Sequence, residues 1–309
     1  MENFLPQTRF WLFAILVILG GTFATGTQTA ENTNAEVRTL AEVPAATGGL
    51  SVDQSGNIYV ADIGPAPNRR GMTIYKVTPN GDVSVFAENG NLLRPDGNAF
   101  DSKGNLYQAS LLLNHIAKIT PDGEVSIFVE GLRVPTGLVF DEDDNLYVTN
   151  CGANNIQKVN PEGESSTFAV NPLFRCPTGI ALDNDKNLYV ANFSNGLVAK
   201  VMPDGSVSQF ANVPGNNNGH LVFDGEQLYT VSRGGQRIYT LSLEGELKEF
   251  AGTGQRGHED GPVAAASFSI PFGIGMSPDG NTLYINEGKP TSGGQNNHPT
   301  ILRMIVLNP

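Results

Sequence analysis

The hydrophobic pattern of this chain is one of short alternation. Brief runs of alternating apolar and polar residues are separated by Gly, Asn, Asp and Pro, which predicts strands joined by tight turns. One run recurs as Gly-Asn-(Leu/Ile)-Tyr-Val-(Ala/Thr). It is first met at Gly56-Asn57-Ile58-Tyr59-Val60-Ala61 and returns around Tyr107, Tyr147, Tyr189, Tyr229 and Tyr284. Behind the first five tyrosines come Pro79-Asn80-Gly81, Pro121-Asp122-Gly123, Pro161-Glu162-Gly163, Pro203-Asp204-Gly205 and Leu243-Glu244-Gly245, each opening another alternating run. Repeats of this size mark propeller or solenoid units. Six tyrosines predict six of them.

The third unit predicts strands over 136–141, 146–150, 156–160 and 165–170, with Asp143-Asp144-Asn145 and Pro161-Glu162-Gly163 as turns. Four short antiparallel strands fit a propeller blade, whose radial repetition leaves few exposed sheet edges. After Tyr284 the sixth unit supplies a strand over 301–307 and lacks the fourth one. The segment Glu36-Val37-Arg38-Thr39-Leu40-Ala41 resembles Asp82-Val83-Ser84-Val85-Phe86-Ala87, so it is expected to complete the sixth blade. The predicted fold is an all-β, six-bladed β-propeller over 36–309, closed by its N-terminal strand.

Composition adds little, since the 36 glycines serve the turns. A net charge of −12 argues against nucleic acid or an anionic membrane surface as a partner. Ahead of the repeats, Arg9 precedes an apolar run over 10–21 that is short for a membrane span and proportioned like a signal-peptide core, with Thr22-Phe23-Ala24 as a cleavage site. The expectation is a signal peptide over 1–24, a flexible leader over 25–35, and a secreted or periplasmic protein with no stable membrane insertion after cleavage. Tethering by an uncleaved segment is the alternative. The two cysteines fall in loops on one face of neighbouring blades, Cys151 in the loop between the second and third strands of blade three and Cys176 in the loop leading to blade four. In an exported chain they are expected to form a disulfide, with two free thiols as the alternative.

The stretch from Ala251-Gly252-Thr253-Gly254 through Gly257, Asp260-Gly261, Ala266, Phe268 and Pro271-Phe272-Gly273-Ile274 resembles the long inter-blade connector of NHL-repeat propellers. The recurrent Pro-x-Gly and Asp-x-x-Gly-Asn-Leu-Tyr-Val-Ala pattern is similar to those proteins and to the senescence marker protein/gluconolactonase/luciferin-regenerating enzyme family. In gluconolactonase-like enzymes the resemblance implies a divalent metal, calcium or similar, in the central channel. Glu, Asn and Asp at the starts of the innermost strands hold it there, and it polarises a lactone carbonyl and activates a water. The corresponding positions here are Gly48, Asp96, Thr136, Thr178, Asn218 or Gly219, and Phe272. Asp96 matches the pattern, Asn218 is a second candidate metal ligand, and Gly48 stands where the family places a Glu.

Two registers are open for blade five. Counting back from Tyr229 aligns Asn218 with Thr136, whereas counting from Leu221, Phe223 and Asp224 aligns His220 with Gly137. Asn98 occupies a position that is apolar in Leu138, Ile180 and Ile274. Asp96, Asn98 and His220 therefore depart from the blade template and are the candidate catalytic groups, facing each other from blades two and five across the channel. At the ends of the second strands, Asp62, Ser110, Asn150, Asn192, Ser232 and Asn286 make a polar ring. It reads as loop caps or, for Asn150 and Asn192, as ligand contacts. Of the ten arginines beyond the N-terminal segment, Arg69, Arg70, Arg94, Arg133, Arg175, Arg233 and Arg256 fall in loops of one face. Arg94, Arg133 and Arg175 are the candidates for drawing an anionic small molecule to the rim.

Three functions remain open. The first is an exported, metal-assisted enzyme acting on a lactone or related ester; the second, a non-enzymatic NHL-like module binding an anionic ligand or a protein. The third is a metal-independent lyase or cyclase that uses the channel as its pocket. No Gly-x-Ser-x-Gly elbow, HExxH or phosphate-binding loop is present, which leaves the common hydrolase and nucleotide routes without support.

Overall fold

Each alternating run becomes a strand, and each repeat a blade. The computed structural model describes residues 34–45, 47–65, 67–289 and 299–307, and arranges them as five four-stranded antiparallel sheets and one five-stranded sheet. The expected signal peptide and nearly all of the leader lie outside the described residues. Among the described residues no helix is long and apolar enough to cross a membrane. Blade three consists of Pro135–Phe140, Leu146–Asn150, Asn155–Val159 and Ser165–Val170, within one residue of the sequence expectation.

The recurring motif has a physical cause. In blade four, Asp183 accepts hydrogen bonds from the backbone and side chain of Asn187, which closes the turn, and from the Tyr189 hydroxyl at 3.1 Å. The same tyrosine lies under the Lys200 ammonium at 5.3 Å and meets the edge of Phe210 at 4.8 Å. One Asp-Asn-Tyr-Lys-Phe set thus fastens all four strands. The apolar clusters form between blades: Ala181, Tyr189 and Val198 of blade four pack with Leu221, Leu228 and Leu241 of blade five.

The ring closes as expected. Glu36–Val43 pairs antiparallel with Thr300–Val306, from Val37 opposite Ile305 to Val43 opposite Thr300. The connector adds Gly261–Pro262 at the outer edge. Asp260 accepts from the Thr39 amide and hydroxyl, both at 3.0 Å, and pairs with Arg303 at 2.7 Å. Arg303 is fully buried, lies 5.4 Å from the Phe268 ring centroid, and makes a second ion pair with buried Glu287. One guanidinium therefore ties the connector to both ends of the ring.

The innermost strands are Thr47–Val52, Pro95–Phe100, Pro135–Phe140, Pro177–Leu182, Asn218–Phe223 and Ile274–Met276. Their pairing sets Leu50, Asn98, Leu138, Ile180, Leu221 and Ile274 opposite the residue that follows each motif tyrosine. One residue earlier stand Gly49, Gly97, Gly137, Gly179, His220 and Gly273. A Cβ on Gly97 would fall 2.2 Å from the Thr136 carbonyl oxygen, one on Gly137 2.2 Å from that of Thr178, and one on Gly49 2.7 Å from the Gly97 Cα. Glycine is required there by the close approach of neighbouring backbones.

Burial raises the Glu287 carboxyl to about 7, outweighing the lowering pull of Arg303, whose charge Asp260 shares. The folded chain thus holds this proton more tightly than the unfolded chain does. The associated stability is complete below the unfolded carboxylate range and is lost as pH rises through about 7. Thermal scans from about pH 5 to about pH 8 should show this loss, and Glu287→Gln should flatten it. An unchanged slope in the variant would contradict the assignment. Arg303→Met should cost about 3–5 kcal/mol in denaturant unfolding, because it removes the shared partner of Glu287 and Asp260 and breaks the seam.

Candidate active site at the channel mouth

The site begins at the one break in the glycine ring. The pairing of Asn218 with Ser232 and Leu221 with Thr230 settles the register of blade five. Asn218 takes the place of Pro135, Gly219 that of Thr136, and His220 that of Gly137. The imidazole consequently reaches across the axis, and its Cε1 lies 3.0 Å from where a Gly97 Cβ would be. The His220 amide donates to the Phe272 carbonyl at 3.0 Å, and its ring meets that of Phe272 edge-on at 5.2 Å.

His220 Nε2 lies 3.5 Å from Asp96 Oδ1. Both atoms are buried and neither has a hydrogen-bond partner. The separation slightly exceeds an ordinary hydrogen bond. An imidazole and a carboxylate with no competing partners form a pair equipped to take up and pass on a proton.

Asn98 is placed differently. Its Nδ2 donates to Gln108 Oε1 at 3.1 Å and toward the Tyr59 carbonyl at 3.4 Å, so it braces blade two against blade one. Gln108 in turn donates to the carbonyls of Asp96 and Gly97, both at 3.0 Å, and fixes the strand that presents Asp96. Sequence reasoning passed over Gln108. Its signal was the Leu-Tyr-Gln-Ala variant of the motif.

The Asn218 Nδ2 donates to the Gly196 carbonyl at 2.8 Å, in a loop of blade four, while its Oδ1 is buried without a hydrogen-bond partner. The expected ligand contacts Asn150 and Asn192 are buried loop caps. Asn150 accepts from the Arg133 amide at 3.3 Å and donates to Asn155, while Asn192 accepts from the Arg175 amide at 2.8 Å and donates to the Leu173 carbonyl. Both amide ends of each are engaged, as the loop-cap reading of these residues expects. The side chains of Arg133 and Arg175 are exposed on these loops. Cys151 and Cys176 form a disulfide that joins the loop after the second strand of blade three to the loop leading into blade four.

A different set of arginines gathers near the dyad. Arg233, half-buried on its blade-five loop, lies over Phe272 with its Cζ 5.5 Å from the ring centroid. Burial lowers its pKa, as do Arg69 and Arg256, while Asp96 opposes the shift. Arg69 is also half-buried and lowered, first by burial and then by Arg94. Among the described residues, the arginines that form ion pairs with carboxylates are Arg38, Arg237 and Arg303, none of them in this group. No three His, Cys, Asp or Glu side chains gather as a metal ligand set among the described residues. On the innermost strands, Asp96 Oδ1, Asn98 Oδ1, Asn218 Oδ1 and His220 Nε2 are each buried without a hydrogen-bond partner.

Residues 66–289 match the Virginiamycin B lyase family. Virginiamycin B lyase from Staphylococcus aureus is 14% identical, with a TM-score of 0.61 over 88% of this chain and 99% of that one. A catalytically inactive histidine-to-alanine variant of the same enzyme, with quinupristin, is 15% identical with a TM-score of 0.60 over 88% and 99%. A gluconolactonase from Xanthomonas campestris is 16% identical with a TM-score of 0.68 over 88% and 90%. At these identities the likeness is one of fold. No curated protein matches the chain.

Restoring the ring glycine with His220→Gly should leave the fold within about 1 kcal/mol of wild type, whereas Gly97→Ala, which overpacks the axis, should cost about 1–3 kcal/mol or more. Denaturant midpoints of the two variants test the pair. Equal midpoints would remove the special status of the ring.

Proposed function

The chain belongs to the virginiamycin B lyase family, and from that premise we propose that it is a lyase acting on a small molecule in its central channel, with His220 and Asp96 handling the proton. A lyase of this kind takes a proton from the carbon beside a carbonyl. The freed electron pair forms a carbon–carbon double bond, and the leaving group departs with its own bonding pair. No water is consumed. The observation that carries the reading is His220 in a glycine position, its Nε2 facing the carboxylate of Asp96 inside the channel.

In this reading the imidazole is the base, and the adjacent carboxylate stabilises the imidazolium that forms. Phe272 holds the ring from its edge, and Gln108 holds the strand that carries Asp96. Arg233 supplies positive charge where the enolate oxygen develops, a preorganised electrostatic role that needs no metal. The family match, with no cluster of three His, Cys, Asp or Glu side chains among the described residues, favours this lyase over metal-assisted lactone hydrolysis, and the guanidiniums support an anionic ligand. The Cys151–Cys176 bridge supports secretion into an oxidising compartment, with the propeller over 36–309 as the mature domain.

Elimination and hydrolysis are told apart by mass. A cyclic ester opened by elimination keeps its mass, whereas hydrolysis adds a water whose oxygen comes from solvent. A panel of cyclic esters with and without a free carboxylate, quinupristin among them, should give products of unchanged mass in oxygen-18 water. Chelation should not alter the rate, while His220→Gln and Asp96→Asn should each lower kcat by about 100-fold or more. Oxygen-18 in the product, or a His220→Gln enzyme at full rate, would defeat the proposal.

A further inference from the structure

Three guanidiniums on the loops of blades one, two and five remain to be accounted for. Arg69 and Arg94 are set side by side by interlocked loops: the Arg94 amide donates to the Gly71 carbonyl at 2.7 Å, and the Leu111 amide donates to the Arg94 carbonyl at 3.2 Å. Both residues sit in the left-handed region, with φ of 44° at Arg69 and 55° at Arg94. Such conformations persist in non-glycine residues only where the surroundings hold them. The Arg94 Nε is buried without a hydrogen-bond partner, although a buried donor ordinarily finds an acceptor. Arg233 lies against Phe272, whose edge touches His220, and Phe193 meets Phe272 at 6.4 Å to extend an apolar wall.

We propose that Arg69, Arg94 and Arg233 form a carboxylate-binding cage beside the Asp96–His220 pair, and that the substrate carries a carboxylate joined to a flat apolar group that lies against Phe272 and Phe193. The proposal rests on the lyase reading and names its substrate class. Arg69, Arg94 and Arg233 gather positive charge on this face of a chain whose net charge is −12. Half-buried guanidiniums that repel one another are stabilised by an acceptor that reaches two of them at once. A planar carboxylate matches the guanidinium fork in two parallel hydrogen bonds. A phosphate carries more charge, and Asp96 would repel it more strongly. The exposed Arg133 and Arg175 lie outside this cage.

Phenylacetate is the probe, titrated into the full-length protein by calorimetry. It should bind saturably, while the neutral phenylacetamide should not, and phenyl phosphate should bind more weakly. Arg69→Gln and Arg233→Gln should each weaken phenylacetate by about tenfold or more, as expected for loss of a charge-assisted bond. The exposed Arg38→Gln, whose partner is Glu36, should leave it unchanged. Equal binding of phenylacetamide, tighter binding of phenyl phosphate, unaltered affinity in both cage variants, or no phenylacetate binding would each overturn the cage. His220→Gln separates the two claims, because it should lose turnover and still bind phenylacetate. If phenylacetate binds as described and no elimination is found, the lyase reading fails and the cage stands.

Discussion

Six strand backbones converge on one axis, and at the level of Gly49, Gly97, Gly137, Gly179 and Gly273 there is room between them for little more than hydrogen. Everything else follows from that crowding. The blades must radiate because their inner edges touch, and the large side chains, the motif tyrosines and their phenylalanine neighbours, are displaced outward to fill the widening wedges between sheets. A side chain at a ring position has nowhere to go except into the channel. His220 does this, and so the residue that breaks the packing rule also faces the buried carboxylate of Asp96. Departures of this kind are expected at functional sites, where local structural rules yield to chemistry.

Much of the fold was legible because a blade is a local object. The Asp-x-x-Gly-Asn-Leu-Tyr turn, the lysine two strands on and the edge-packed phenylalanine all lie within one repeat, so their spacing along the chain is their spacing in space. The absent fourth strand of the last repeat and the extra strand at the start pointed to the closure found between Glu36–Val43 and Thr300–Val306. The Arg303–Glu287–Asp260 network was not legible. Its members come from three separate segments, and an arginine inside a strand carries no outward sign of being fully buried.

The site was legible in part. Asp96 and His220 stood out because each breaks a column of repeated residues, and the structure brings them together. Two registers stayed open for Asn218 because four residues separate Phe223 from Leu228 where five separate Phe140 from Leu146, so a count back from the motif tyrosine overshoots by one residue in blade five. The arginines were read by loop position alone. Arg133 and Arg175 occupy loops whose backbones are held by Asn150 and Asn192, and their side chains are exposed, whereas Arg69, Arg94 and Arg233 are half-buried. Which way a loop side chain turns depends on its caps and on neighbouring blades, and none of that is periodic.

The strand that closes the ring also fixes the order in which the molecule can be finished. Glu36–Val43 is among the first parts of the propeller to be synthesised, yet its partner Thr300–Val306 is among the last. Until then five blades can assemble by contacts within and between neighbours, but the first strand waits as an unpaired edge. Contacts this distant along the chain form slowly, and an open edge meanwhile invites pairing with another molecule. The clasp that makes the finished ring secure is therefore the element most exposed to misassembly during its making. The buried Arg303 network at that seam, which engages the first strand, the connector and the last strand together, would favour the correct late partner over a stray one.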